Sequence, residues 1–375
     1  MCLLVFSVLW LTVRGANLPG LWLERGFSAL GRLLSQLLGG GPDWLRGLLV
    51  DGIYDTVARV ITVMLPPMAI FFPLFTLLED FGLLPRLAFL ADRPFERCGA
   101  CGKQALTACM SLGCNAVGVM GCRIIDSPRE RLLAILTSSL LPCNGRFPTL
   151  ILLSSIVLRG AETFTVLFVA AILALSIAAI LLASRLLSRT LLRGTPSGFV
   201  MELPPYRPPR IGQVLLRSFL DRTLRILGRA LLIAAPAGAT IWICANVEIS
   251  GASVLSRCAG FLEPLGAALG MSGPILLAFV LGFPANELVL PVLVMLLTGA
   301  GSLGSSAGVV QTLTEHGMGA SQALCTALFC LFHWPCGPSV LTVYRETGRL
   351  RWTALSVALP TALGVVLCLA VNLLV

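Results

Sequence analysis

Residues 111–148 read SLGCNAVGVMGCRIIDSPRERLLAILTSSLLPCNGRFP, and this stretch limits the folds open to the chain. It lies among long apolar runs, yet Gly113-Cys114-Asn115 interrupts its first half and Leu141-Pro142-Cys143-Asn144-Gly145-Arg146 its second. In hydrocarbon, backbone groups freed by glycine and proline survive only when buried in protein or lining a wet cavity. Asn115, Asn144 and Arg146 are costly at membrane depth, so they face an interior and mark a pathway. The pattern returns as Gly282-Phe283-Pro284-Ala285-Asn286-Glu287 and then His333-Trp334-Pro335-Cys336-Gly337-Pro338. Two copies of a short broken segment followed by a Pro-Cys break predict a transporter built from repeats.

The surrounding sequence requires a membrane. The 375 residues are 57% hydrophobic and 12% charged, whereas soluble domains carry about 25% charged residues. The fold class is therefore all-α: a polytopic helical membrane protein whose main partner is the lipid bilayer. The net charge of +9 comes from arginine, since Lys103 is the only lysine. These arginines sit beside apolar runs, so they report topology and not a nucleic-acid partner. The 13 cysteines lie mostly inside apolar segments, which argues against a disulfide framework. Cys244, Cys325, Cys330 and Cys368 read as small packed hydrophobes, and the CxxC pair Cys98/Cys101 has no second pair at zinc-site spacing.

In chain order, residues 1–56 read as an apolar anchor followed by two interfacial amphipathic helices. Residues 57–184 form a first repeat, 185–229 a basic cytoplasmic loop, and 230–375 a second repeat. Expected spans are 57–78, 132–158, 164–183, 230–247, 320–344 and 353–375. The loop at 185–229 holds nine arginines and belongs in the cytoplasm. If the interrupted segments 104–120 and 275–298 are re-entrant, that loop, Arg123–Arg131 and Arg345–Arg351 all fall inside. Each half then reads span, re-entrant segment, broken span, span, in opposite orientations.

The breaks carry donors. Thiols are soft ligands, carboxamides and carboxylates harder ones, and the mixture suits borderline divalent transition metals better than Mg²⁺ or Ca²⁺. Cys114, Asn115, Cys143, Asn144, Glu287, His333 and Cys336 are the candidate ligands, with His333 and Cys336 expected one helical turn apart on a shared face. Arg146 is expected to pair a carboxylate or to snorkel. The stretch Gly99–Gln104 is not a phosphate loop, because Arg97 stands at the first glycine position and Gln104 replaces Ser/Thr. No nucleotide site is expected in this chain, nor any enzyme-type constellation.

The same residues carry a resemblance. WLTVRGANLP (10–19), LEDFGLLPRLAF (78–89), Gly113-Cys114-Asn115, PCNGRFP (142–148), ELPPY (202–206), Ala285-Asn286-Glu287, Pro335-Cys336 and Arg345-Glu346-Thr347-Gly348 are similar to motifs of the FeoB ferrous-iron transporter family. The resemblance covers the membrane domain with its two Gate motifs, without the family's N-terminal GTP-binding domain. It implies two inverted Gate-type repeats and Fe(II) as transported substrate along a path lined by Cys114, Cys143 and Cys336. It further implies a separate GTP-binding domain and a small FeoA-like protein as partners, and a homo-oligomer. The chain departs from the family at Ala116-Val117, where a proline is usual, at Asn286 in place of lysine, and at Asn144-Gly145 in place of Ser-Ala. The competing readings are a Gate-type carrier of nucleosides or other small solutes, and a non-transporting membrane scaffold or remnant that has lost its GTPase domain.

Overall fold

The computed structural model describes every residue except 1, 41, 159–161, 195–211, 213–222, 250–251, 300–308 and 375. The ELPPY stretch and most of the expected basic loop thus lie outside the described residues. Apart from a two-residue antiparallel bridge pairing Glu248 with Ser253, the described secondary structure is helical.

The N-terminal residues bring a correction. In place of a short anchor and two separate interfacial helices, α1 runs unbroken from Cys2–Leu37 through Pro19. The next span starts earlier than residue 57, because Asp43–Leu78 forms one continuous apolar helix. That helix comprises α2 (Asp43–Arg46), a wide π-type turn (Gly47–Tyr54) and α3 (Asp55–Asp80). Gly47 and Gly52 lie against the Trp242 ring, where a Cβ would overlap it, so glycine permits this close helix approach. Hydropathy missed the outer turns because Asp43, Arg46, Asp51 and Asp55 dilute the apolar run.

α4 (Leu83–Arg97) leads into α5 (Lys103–Gly113) and α6 (Asn115–Gly121). Gly118 abuts Ser111, and Gly121 abuts Met110, so α6 folds back along α5 as an antiparallel hairpin. The hairpin occupies the segment expected to be re-entrant, residues 104–120. The following span is broken as the sequence predicts: α7 (Pro128–Thr137), a 3-10 turn, an irregular stretch at 141–146, then α8 (Phe147–Val157). α9 (Glu162–Arg189) closes the repeat.

The second half of the chain is also mainly helical among the described residues. α10 (Arg225–Asn246) packs on the π turn and α3. α11 (Val254–Ala268) was not anticipated as an element. It meets α12 (Gly273–Leu281) at 108°, and the Glu263 carboxylate accepts from the Gly273 amide at 2.7 Å, an anionic cap on the start of α12. After a break at 282–285 and a 3-10 turn (Asn286–Leu288), α13 (Val289–Thr298) packs back on α12. α14 (Val309–Glu315), α15 (Ala320–Phe332), α16 (Gly337–Thr347) and α17 (Leu350–Leu374) complete the chain, with the break at 333–336.

The two repeats share a core in which Leu140, Phe147 and Leu150 of the first join Phe279, Phe329 and Phe332 of the second. At one end of the molecule Arg123 grips the Glu346 carboxylate through Nε and Nη2, and Arg129 donates to the carbonyls of Gly99 and Leu192. There Lys103 also binds Asp126 and holds its carboxyl below the usual carboxylate range. This arginine-rich end is the one that the charge distribution assigns to the cytoplasm.

Candidate functional site

Four breaks meet between the repeats, and each has a local cause. Cys114 is extended (φ −157°, ψ 123°) between α5 and α6. Its counterpart in the second repeat, Ala285, has nearly the same conformation (φ −154°, ψ 125°). In both, the carbonyl of the extended residue accepts the first amides of the next turn: Val117 and Gly118 for Cys114, Leu288 for Ala285. The two Pro-Cys breaks bind back to these hairpins. The Asn144 amide donates to the Gly113 carbonyl at 3.4 Å, and the Gly337 amide to the Phe283 carbonyl at 2.8 Å. Backbone groups that would be orphaned in hydrocarbon thus satisfy each other within the protein.

A cavity of about 30 Å³ lies where the breaks converge. Six of the seven residues singled out from the sequence line it: Cys114, Asn115, Cys143, Asn144, Glu287 and Cys336. The seventh does not. The chain leaves helical geometry after Phe332, so His333 and Cys336 are not one helical turn apart on a shared face. His333 sits behind the cavity, packed on Phe279 with ring centroids 4.9 Å apart. Its Nδ1 lies 2.8 Å from the Cys330 carbonyl and its Nε2 3.3 Å from Asn286 Oδ1. Asn286 Nδ2 in turn donates to Cys143 Sγ at 3.7 Å. His333 therefore contacts Asn286, and Asn286 contacts a thiol.

The two equivalent asparagines differ. Asn286 has partners on both sides of its amide, whereas Asn115, 2% exposed, has none for either Nδ2 or Oδ1. A buried amide without protein partners costs roughly 1–3 kcal/mol, so Asn115 is free to bind a water or another group in the cavity that it lines.

Three contributors were missed in the sequence. Met64 and Met68, one turn apart on α3, add two thioethers to the cavity wall, and their i, i+4 spacing was the available signal. Gly145 presses its backbone on the Glu287 carboxylate, where any Cβ would overlap Oε1. Arg146 neither pairs a carboxylate nor snorkels. It is 1% exposed and caps the end of α15, donating from Nη1 to Leu331 O at 2.7 Å and from Nη2 to His333 O and Trp334 O at 3.1 Å. It ties the first repeat's break to the second's.

Chemically the cavity presents three thiols, two thioethers, amides and one carboxylate, a set matched to a borderline transition-metal ion. Among the described residues, no three His, Cys, Asp or Glu side chains close to ligating distance in this conformation. The cavity admits about one water-sized group, whereas small organic ligands occupy pockets of roughly 300 Å³ or more.

The chain matches the family model described as nucleoside recognition, the Gate region, over residues 61–157 and 227–350. Residues 169–221 match the C terminus of ferrous iron transport protein B. The Fe(2+) transporter FeoB of Staphylococcus aureus (strain COL) is 30% identical over 334 residues, covering 86% of this chain and 48% of that protein. The Fe(2+) transporter FeoB of Synechocystis is 29% identical, covering 88% and 52% respectively. A fusion of Fe(2+) transport protein A and Fe(2+) transporter FeoB from Porphyromonas gingivalis is 26% identical, covering 90% and 45%. The chain spans about half the length of these curated relatives. No solved structure matches it.

Proposed function

The chain belongs to the FeoB family of ferrous-iron transport proteins, and from that premise we propose that it moves Fe(II) across the membrane through the cavity between its four helix breaks. It is a multi-pass integral protein of the cytoplasmic membrane. The observation that carries the reading is convergence: Cys114, Cys143, Cys336, Asn115, Asn144 and Glu287 arrive from four separate breaks and line one cavity. Scattered structural kinks with packed thiols have no reason to meet.

The cavity's size sets the chemistry. With room for about one water, it takes an ion that has shed most of its hydration. Mg²⁺ dehydrates reluctantly and prefers oxygen ligands, while Fe(II) accepts thiolate, thioether and carbonyl donors. Glu287 supplies charge compensation, and the Asn115 carbonyl supplies an oxygen donor. The nucleoside reading is disfavoured, since no nucleoside fits, none of the described residues lining the cavity is Phe, Tyr or Trp, and Trp334 packs on Phe329. A GTP-binding domain and a FeoA-like protein are the proposed partners, the latter on the example of the Porphyromonas gingivalis fusion.

The test is anaerobic Fe(II) flux into proteoliposomes containing the full chain, with and without an added FeoB-type GTP-binding domain. Fe(II) accumulation above protein-free vesicles in either arrangement is expected. No flux in both would overturn the reading. A sharper variant is Gly145→Ala, whose new methyl group must displace the Glu287 carboxylate. That carboxylate is the far end of a flexible side chain, so the methyl group pushes it aside at little cost to folding. Uptake should fall on the order of tenfold while most of the protein still folds. Normal uptake by Gly145→Ala would remove Glu287 from the path.

A further inference from the structure

The carboxylate of Glu287 has a second face. Besides the small inner cavity, it lines a larger one of about 370 Å³ between α1, the π turn and the first turns of α3. We infer that this outer cavity is a water-filled vestibule that collects hydrated divalent cations and passes them to Glu287, an inference that rests on the Fe(II) transport reading.

Size is the first argument. Six waters at about 30 Å³ each amount to roughly 180 Å³, so a fully hydrated ion fits the outer cavity and not the inner one. Glu287 is the residue common to both walls, and dehydration would take place beside it.

Charge is the second. The outer cavity gathers four carboxylates, Glu24, Asp51, Asp55 and Glu287, against two guanidinium groups, Arg32 and Arg59. Arg59 Nε binds Asp55 at 2.9 Å, which leaves that pair nearly neutral. Counted with every side chain ionised, the lining carries two net negative charges in a chain whose overall charge is +9. Charged recesses with low-dielectric walls concentrate counter-ions and raise association rates.

Architecture is the third. The π turn widens the helix where Val50, Asp51 and Tyr54 face the recess, and Tyr54 Oη donates to Phe27 O at 2.8 Å, fixing α1 as the opposite wall. The recess lies at the start of α3. The other end of that helix, about 39 Å away for 26 residues, leads through α4 to Gly99 at the arginine-rich end. The vestibule therefore opens opposite the end assigned to the cytoplasm. Asn115, buried in the inner cavity with neither amide atom partnered, independently marks where an ion handed on by Glu287 would be received.

The test uses the exposed pair Glu24 and Asp51, neither of which lines the inner cavity. In reconstituted full-length chain, Glu24→Gln/Asp51→Asn should raise half-saturating Fe(II) about fivefold at low ionic strength with the maximal rate unchanged. The difference should shrink below about twofold near 0.5 M salt, as screening removes steering. Cys143→Ser should instead lower the maximal rate. Equal half-saturation for variant and wild type at both salts overturns the vestibule. If the wild type carries no Fe(II), the transport reading fails, and Mn²⁺ binding then decides the vestibule alone. Electron paramagnetic resonance of free Mn²⁺, titrated against detergent-solubilised chain, should show one weak site fewer in Glu24→Gln/Asp51→Asn and no loss in Cys368→Ser. Equal site counts in wild type and double variant overturn it.

Discussion

Cys143→Ser and Cys336→Ser are each expected to lower Fe(II) uptake at least about 10- to 100-fold at unchanged protein abundance. Removing even an outer partner of a metal ligand costs that much, and serine is a harder, far less acidic donor than cysteine. Both thiols line the inner cavity, and both sit at Pro-Cys breaks in equivalent positions of the two repeats. Cys368 is the control. Its side chain is fully buried, donates to the Cys325 carbonyl at 3.3 Å and does not line the inner cavity. A serine hydroxyl can make the same bond, so Cys368→Ser should stay within about 1 kcal/mol of wild-type stability and transport normally. Abundance is measured by immunoblot beside uptake, because a buried thiol replaced by a hydroxyl also perturbs folding. Normal transport by both Pro-Cys variants would reduce these sites to kinks.

The largest loss of stability is expected at Arg146. Arg146→Ala removes three hydrogen bonds from a charged donor and leaves the carbonyls of Leu331, His333 and Trp334 without their cap. Hydrogen bonds to charged groups contribute about 1.5–3 kcal/mol each, and truncating a buried charged partner typically costs roughly 3–5 kcal/mol. The variant should accumulate poorly and melt at a clearly lower temperature in detergent. Arg146→Lys keeps the charge but loses the planar fork that reaches several carbonyls at once, so it should fall between the two. An Arg146→Ala protein with wild-type abundance and melting temperature would show that the two breaks hold together without this clasp.

Why Arg146 could not be read from the sequence is instructive. Its partners are main-chain carbonyls at the other Pro-Cys break, and which side chain reaches them is a tertiary fact with no residue signature. The breaks themselves were legible. Glycine, proline and asparagine inside apolar runs mark where a membrane helix cannot continue, and that logic places Cys114, Cys143, Glu287 and Cys336 at or beside breaks. It also anticipated the α5–α6 hairpin. The same logic failed where charge masked an apolar face: Arg257 and Glu263 hid α11, and Asp51 and Asp55 hid the outer turns of the long helix. His333 was misjudged for a different reason. Periodicity assumed that the helix ran on to Cys336, whereas Pro335 ends it and turns the imidazole toward Asn286. The unequal roles of Asn115 and Asn286 were invisible because only packing decides which amide finds partners.

Iron K-edge X-ray absorption on the anaerobically Fe(II)-loaded full chain tests the central claim most directly. The account predicts a mixed first shell in wild type, with sulfur beside oxygen or nitrogen scatterers, and fewer sulfur scatterers in Cys143→Ser and in Cys336→Ser. A first shell made only of oxygen and nitrogen in the wild-type protein would contradict it.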